Sequence, residues 1–177
     1  KHKTEWGALG DKETAVIEVA RIIGLSKISE EKRNVMKAST YGVGSVMKEA
    51  LDLGYRKFVI PVGGSATNDG GAGLLQALGV SLKDKSGKEL PYGGFALSSL
   101  EHIDISNMDE RMKESTIMVA CDVNNPLYGS RGASAIYGPQ KGASYEQVQL
   151  LDEALMKFSE TIKKDLGIDV SNIPGAG

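Results

Sequence analysis

With 177 residues, 41% of them hydrophobic and 25% charged, the chain is long enough to bury a real core and too apolar to be disordered. A formal charge of -2, a pI near 5.8 and the lack of any long basic run exclude a phosphate-backbone footprint, so nucleic acid is not an expected partner. No apolar run approaches the roughly 18 residues of a membrane span and no secretory signal opens the chain, so no membrane partner is expected.

The single Cys121 cannot close an internal disulfide, which fits a cytoplasmic protein. His2 and His102 are far apart, with no ligand spacing around them, and read as surface residues. Lys1-His2-Lys3 and the closing Pro174-Gly175-Ala176-Gly177 look like neither end of a natural chain; a piece of a longer protein is expected, folded as one α/β domain over 1–177.

In chain order, TAVIEVA (14–20) is short, apolar and β-branched, which predicts a strand. Ser39 or Thr40 then caps a helix carrying Val43, Val46, Met47, Ala50 and Leu51 at spacings of three and four, closed by Gly54. KFVIPV (57–62) predicts a second strand, with Pro61 at its end or on an edge because proline has no amide hydrogen. The stretch GGSATNDGGAG follows over 63–73, and a helical pattern begins near Leu74 and stops at Gly79. Val80–Lys83 alternates as a strand does, with Asp84-Lys85-Ser86-Gly87 as its turn. TIMVA (116–120) is a continuous apolar run, the pattern of a strand covered on both faces. Ser144 and Gln147 form a capping-box signature before a helix with Val148, Leu151, Leu155, Phe158, Ile162 and Leu166 on one stripe, and Gly167 follows its end. Strands alternating with helices predict an α/β fold with a largely parallel or mixed sheet flanked by helices.

Two strands, 57–62 and 116–120, run straight into polar loops, and ligands of open α/β sheets bind outside the carboxyl ends of strands. Loops 63–73 and 121–142 are therefore candidates for one shared site. Gly70, Gly71 and Gly73 lead into a helix whose first amides lack internal partners, a ready place for an anion. Ser65, Thr67 and Asn68 can bind oxygen atoms, and Asp69 can take a proton or face a metal. Asp122, Asn124 and Asn125 offer the hard oxygens that suit Mg²⁺. Arg131 and Lys141 bring positive charge, and Gln140 and Tyr137 can orient a substrate. This mixture suits phosphoryl transfer to an alcohol. The same glycines and Asn-Asp-Gly also suit a plain tight turn, and Cys121, with no histidine near it in sequence, reads as a small buried residue. No Gly-Lys-Ser/Thr follows to make a Walker A loop, and position 76 is Gln where a dinucleotide fingerprint needs glycine, which argues against a nicotinamide oxidoreductase.

GGSATNDGGAGLLQALG, CDVNNPLYG, RGASAIYGPQKGA and PGAG, in that order, closely resemble the bacterial glycerate kinase family, which phosphorylates D-glycerate with ATP. The likeness runs from ETAVIEVA and TYGVG onward. It implies a protein about twice this length with two α/β domains, one flavodoxin-like and assembled from both ends of the chain, the other inserted between its halves. This sequence looks like the inserted one; the family's PDSFKGS-type and GEGxxDxQ-type segments are absent. The resemblance implies ATP and Mg²⁺ as cofactors and D-glycerate as partner, with phosphorylation at the 2-hydroxyl. It points to Gly63, Gly64, Ser65, Thr67, Asn68 and Asp69, and to Asp122, Asn124, Arg131, Gln140 and Lys141. On chemical grounds Asp69 is then base or metal-linked carboxylate, Arg131 and Lys141 stabilise charge, Asp122 and Asn124 hold the metal, and Gly63, Gly64, Gly70 and Gly71 cradle the anion. The alternative from the same loops is a non-catalytic module that binds a small carboxylate.

Overall fold

The computed structural model describes residues 4–177; Lys1-His2-Lys3, and with them His2, lie outside the described residues. The elements are β1 (Gly7–Ala8), β2 (Thr14–Val16), α1 (Val19–Ile23), α2 (Tyr41–Asp52), β3 (Lys57–Pro61), α3 (Ala72–Ala77), β4 (Ser81–Lys83), β5 (His102–Asp104), β6 (Thr116–Ala120), α4 (Ala133–Tyr137) and α5 (Tyr145–Leu166). The main sheet has the order β1-β2-β3-β6: β1 is antiparallel to β2, while β2, β3 and β6 run parallel. A small antiparallel pair, β4 with β5, stands apart. The fold is therefore α/β with a mostly parallel sheet, as expected.

Pro61 explains why the first strand is shorter than its apolar run. The β2–β3 ladder pairs Thr14 with Lys57 and Val16 with Val59, and the Ile17 amide still donates to Val59 O at 2.9 Å. The next rung needs an amide hydrogen from residue 61, which proline lacks. Pairing stops there, and Val19 opens α1 in place of the strand expected through residue 20. On its other side β3 continues, with the Val62 amide donating to Ala120 O at 3.2 Å. Pro61 is the last residue of β3, at a strand end as its chemistry requires.

Two apolar clusters organise the chain. One joins Ala15, Ile17, Phe58 and Ile60 of the sheet to Val43, Met47 and Leu51 of α2. The other joins Leu155 and Phe158 of α5 to Leu82, Leu97, Leu100 and Ala72. Ser144 caps α5 as anticipated: its Oγ accepts from the Gln147 amide, the Gln147 side chain accepts from the Ser144 amide, and Gly167 closes the helix in a left-handed conformation. The polar loop 63–71 lies between the clusters, since Gly70 packs against Leu155 and Phe158 and α3 packs against α2.

The last strand departs from expectation. All five residues of β6 are exposed, Met118 at 63%, because β6 is an outer strand of the main sheet and nothing among the described residues covers its far side. The continuous apolar run marks a surface that this chain leaves bare.

Candidate active site

The carboxyl ends of β3 and β6 deliver loops 63–71 and 121–141 into one cavity of about 650 Å³. Gly63, Gly64, Ser65, Thr67, Asn68, Asp69, Gly70, Gly71, Asp122, Tyr137, Gln140 and Lys141 all line it. One wall is apolar, built from Ile60, Val62, Ile117 and Val119. Residues of both loops thus line one cavity.

Lys141 is buried and held by two neighbours. It is only 8% exposed, and its Nζ donates to Thr67 O at 2.6 Å and to Ser65 Oγ at 3.3 Å, both uncharged. It forms no ion pair among the described residues. Burial pushes its pKa from the ordinary 10.5 down to about 8, with the nearby Asp69 charge opposing that fall. An ammonium has three donors, so one remains for a ligand.

Asp69 is 1% exposed. Its Oδ2 accepts from the Thr40 amide at 2.8 Å, from Thr40 Oγ1 at 2.9 Å and from the Gly73 amide at 3.2 Å, while Oδ1 accepts from the Gly71 amide at 3.3 Å. The Ala72 amide donates to Asp69 O at 2.9 Å and the Leu74 amide to Thr40 Oγ1 at 2.9 Å. These bonds correct the expectation for the helix start. The amides of residues 71 to 74 are consumed by Asp69 and Thr40, so α3 presents no open anion cradle. The free donors lie earlier in the loop: among the described residues the amides of Gly63, Gly64 and Ser65 have no protein acceptor, while Gly64 O and the Ala66 amide are held by Leu25 and Ile23. Gly64 has φ +71°, a left-handed conformation that suits glycine.

Asn68 is buried, and its Nδ2 donates to Ser134 Oγ at 2.9 Å while Oδ1 has no partner. Asn124 and Arg131 are exposed and lie outside the cavity lining. The cause is the fold of their loop. Asn125 Nδ2 donates to Arg131 O, Tyr137 Oη donates to Asn125 Oδ1, and Asp152 accepts from the Gly129 amide, which closes the segment on itself. Of the two residues expected to hold Mg²⁺, Asp122 therefore lines the cavity and Asn124 does not; no group of three or more His, Cys, Asp or Glu side chains able to hold a metal occurs among the described residues. Cys121 is exposed on the cavity rim, against the expectation of a buried thiol, because it follows the outer strand β6.

Two participants lie inside the quoted segments TYGVG and RGASAIYGPQKGA, but nothing in those segments singles them out as site residues. Thr40 reads in sequence as a helix cap, yet its side chain makes no cap bond and turns to Asp69. Ser134, fully buried, looks like one more loop serine. Their partners lie 29 and 66 positions away, and only the fold brings them together.

The fold is thus of the α/β class, with a mostly parallel sheet whose two strand-end loops bring a buried lysine and a buried carboxylate to one cavity. Comparison with known proteins gives the family. The family model "Glycerate kinase family" matches residues 1–177, and the chain belongs to that family. It is 49% identical to Glycerate 2-kinase of Escherichia coli K12 over all of this chain and 46% of that protein, and 47% identical to Glycerate kinase of Halalkalibacterium halodurans over 99% of this chain and 46% of that protein. A crystal structure of a protein described as glycerate kinase 2, from Salmonella typhimurium LT2, superposes with a TM-score of 0.94 at 45% identity, covering 97% of this chain and 47% of that one. The chain thus spans about half the length of the relatives it matches. No helix among the described residues is long and apolar enough to cross a membrane.

Proposed function

We propose that this chain carries the acceptor and phosphate-binding part of a cytoplasmic kinase that transfers the terminal phosphoryl group of Mg-ATP to a hydroxyl of D-glycerate, giving 2-phosphoglycerate. The observation that carries this reading is Lys141, a buried cation without a carboxylate partner, beside three free amides just past the end of β3. Such a group is stabilised by an anion. D-glycerate supplies a carboxylate and ATP a phosphate chain.

In this reading the amides of Gly63, Gly64 and Ser65 and the third donor of Lys141 bind anionic oxygens. Asn68, Thr67 and Gln140 of the cavity lining supply polar groups toward the substrate hydroxyls. The acceptor oxygen attacks the terminal phosphorus, the bond to the bridging oxygen breaks, ADP departs, and the hydroxyl proton passes to Asp69 Oδ1. Asp122 would hold Mg²⁺ together with phosphate oxygens; one or two carboxylates suffice for that ion, and it supplies charge neutralisation. Arg131 and Asn124 take part only if their loop turns inward when substrates bind. The remaining, flavodoxin-like domain of the full-length protein packs on the bare β6 face, with this chain as the domain inserted into it.

The test is a phosphoryl-transfer assay with the full-length enzyme, D-glycerate and Mg-ATP, with the product read by ³¹P NMR. The expected outcome is stoichiometric ADP and 2-phosphoglycerate. Glycerate binding without transfer would favour the carboxylate-binding module, and a 3-phosphate product would correct the regiochemistry.

A further inference from the structure

The two oxygens of Asp69 stand in different surroundings. Oδ2 takes three donors, the Thr40 amide at 2.8 Å, Thr40 Oγ1 at 2.9 Å and the Gly73 amide at 3.2 Å, whereas Oδ1 has only the long contact from the Gly71 amide at 3.3 Å. The direction of the Thr40 hydroxyl is fixed by its second partner. The Leu74 amide can only donate, at 2.9 Å, so the hydroxyl accepts there and its single hydrogen goes to Asp69. Thr40 therefore holds Oδ2 from both its backbone and its side chain.

Thr40 is itself firmly placed. It precedes α2, whose Gly44 lies so close to α3 that a Cβ there would stand 2.5 Å from Leu74 O. A Cβ on Gly73 would stand 2.6 Å from the Tyr41 amide, so residues 39–41 sit directly on the start of α3. A carboxylate is symmetric and turns easily about its last bond; what distinguishes its oxygens is what holds them.

We propose that Thr40 is a positioning residue for phosphoryl transfer, locking Oδ2 of Asp69 so that Oδ1 is the oxygen offered to the acceptor hydroxyl. The chemical half of this statement rests on the function proposed above; the structural half does not. Removing the hydroxyl takes one of three donors from Oδ2, leaving the Thr40 and Gly73 amides, and takes the acceptor from the Leu74 amide; Thr40 also lines the cavity, so the split between kcat and KM separates positioning from substrate contact.

The experiment compares Thr40→Val, Thr40→Ser and the parent in the full-length enzyme, each also with Asp69→Asn, reading kcat, KM for D-glycerate and amide hydrogen exchange. Thr40→Val is expected to lower kcat by about tenfold or more with KM within about threefold, the pattern of an interaction that matters in the transition state. Thr40→Ser keeps the hydroxyl and restores kcat to within about threefold of the parent. In the Asp69→Asn background the valine change adds less than about twofold, because it acts through Asp69. Exchange at the Leu74 amide rises in Thr40→Val while the β3 amides stay protected, which shows the variant folded. Unchanged kcat in Thr40→Val, an equal loss with and without Asp69, or no rescue by serine overturns the catalytic half. Unchanged Leu74 exchange overturns the structural half. A parent enzyme that phosphorylates no glycerate overturns the functional reading and with it the catalytic half, and the exchange data still decide the structural one. If the valine variant folds poorly, Thr40→Cys, similar in size but a weak donor, reads the same quantities.

Discussion

Lys141 ties pH to both binding and stability. Its folded pKa, about 8, lies below the ordinary 10.5 because burial disfavours the charged form. Between those values the unfolded chain holds a proton that the folded chain has lost, so this residue makes stability rise with pH across that window. Anion binding has the opposite slope, since it needs the charge: affinity for D-glycerate should fall as pH climbs through about 8 in the wild type and stay flat in Lys141→Met, measured by calorimetry. At neutral pH Lys141→Met should weaken binding by about ten- to a hundredfold, the worth of a hydrogen bond to a charged group. Its Tm should hold or rise, because a buried cation without an ion-pair partner is replaced by an apolar chain. Asp69→Asn should lower turnover of the full-length enzyme by about two orders of magnitude, as for loss of a general base. It should also lower Tm, since an amide nitrogen cannot accept the donors now on the carboxylate. Near-normal turnover would remove Asp69 from the chemistry. At this scale the motif GGSATNDGGAG located the loop, but its geometry was hidden. That Asp69 consumes the helix-start amides depends on Thr40, and that Lys141 reaches Thr67 depends on a contact 74 positions long.

Among the elements, α5 was legible from end to end, because an amphipathic stripe, a capping box and a terminal glycine are local signals that agree. Ser144→Ala should therefore cost about 1 kcal/mol and lower Tm by about 2–4 °C, read by thermal unfolding, with ligand binding unchanged. The α2–α3 contact makes a sharper demand. A methyl at Gly44 would stand 2.5 Å from Leu74 O and 2.7 Å from Ala77 Cβ, so Gly44→Ala should destabilise by about 1–3 kcal/mol despite the better helix propensity of alanine. A gain in Tm would contradict the close approach. The end of β2 was not legible from its own residues. TAVIEVA carries no turn former or glycine to end it, and what stops it is a missing amide hydrogen on Pro61 of the neighbouring strand. Strand length here is a property of the pair.

For the whole molecule, β6 carries the lesson. Its apolar run predicts cover on both faces, and in this chain Ile117, Met118 and Val119 are all exposed. Burial depends on what else is present, and the chain spans less than half of the relatives it matches. α/β class and a mostly parallel sheet followed from alternation of elements, whereas sheet order, and so the position of β6 at the edge, did not. Met118→Lys should change the stability of this chain by no more than about 0.5 kcal/mol, as for an exposed site, and destabilise the full-length protein by more. Equal small effects in both would mean that β6 stays bare. The central claim is that loops 63–71 and 121–141 bind a small carboxylate through Lys141 and the free amides. Calorimetric titration of this chain and of its Lys141→Met variant with D-glycerate at neutral pH tests it most directly. Saturable heat in the parent, weakened at least about tenfold in the variant, is the predicted result; no heat from either protein, or the same isotherm from both, would contradict it.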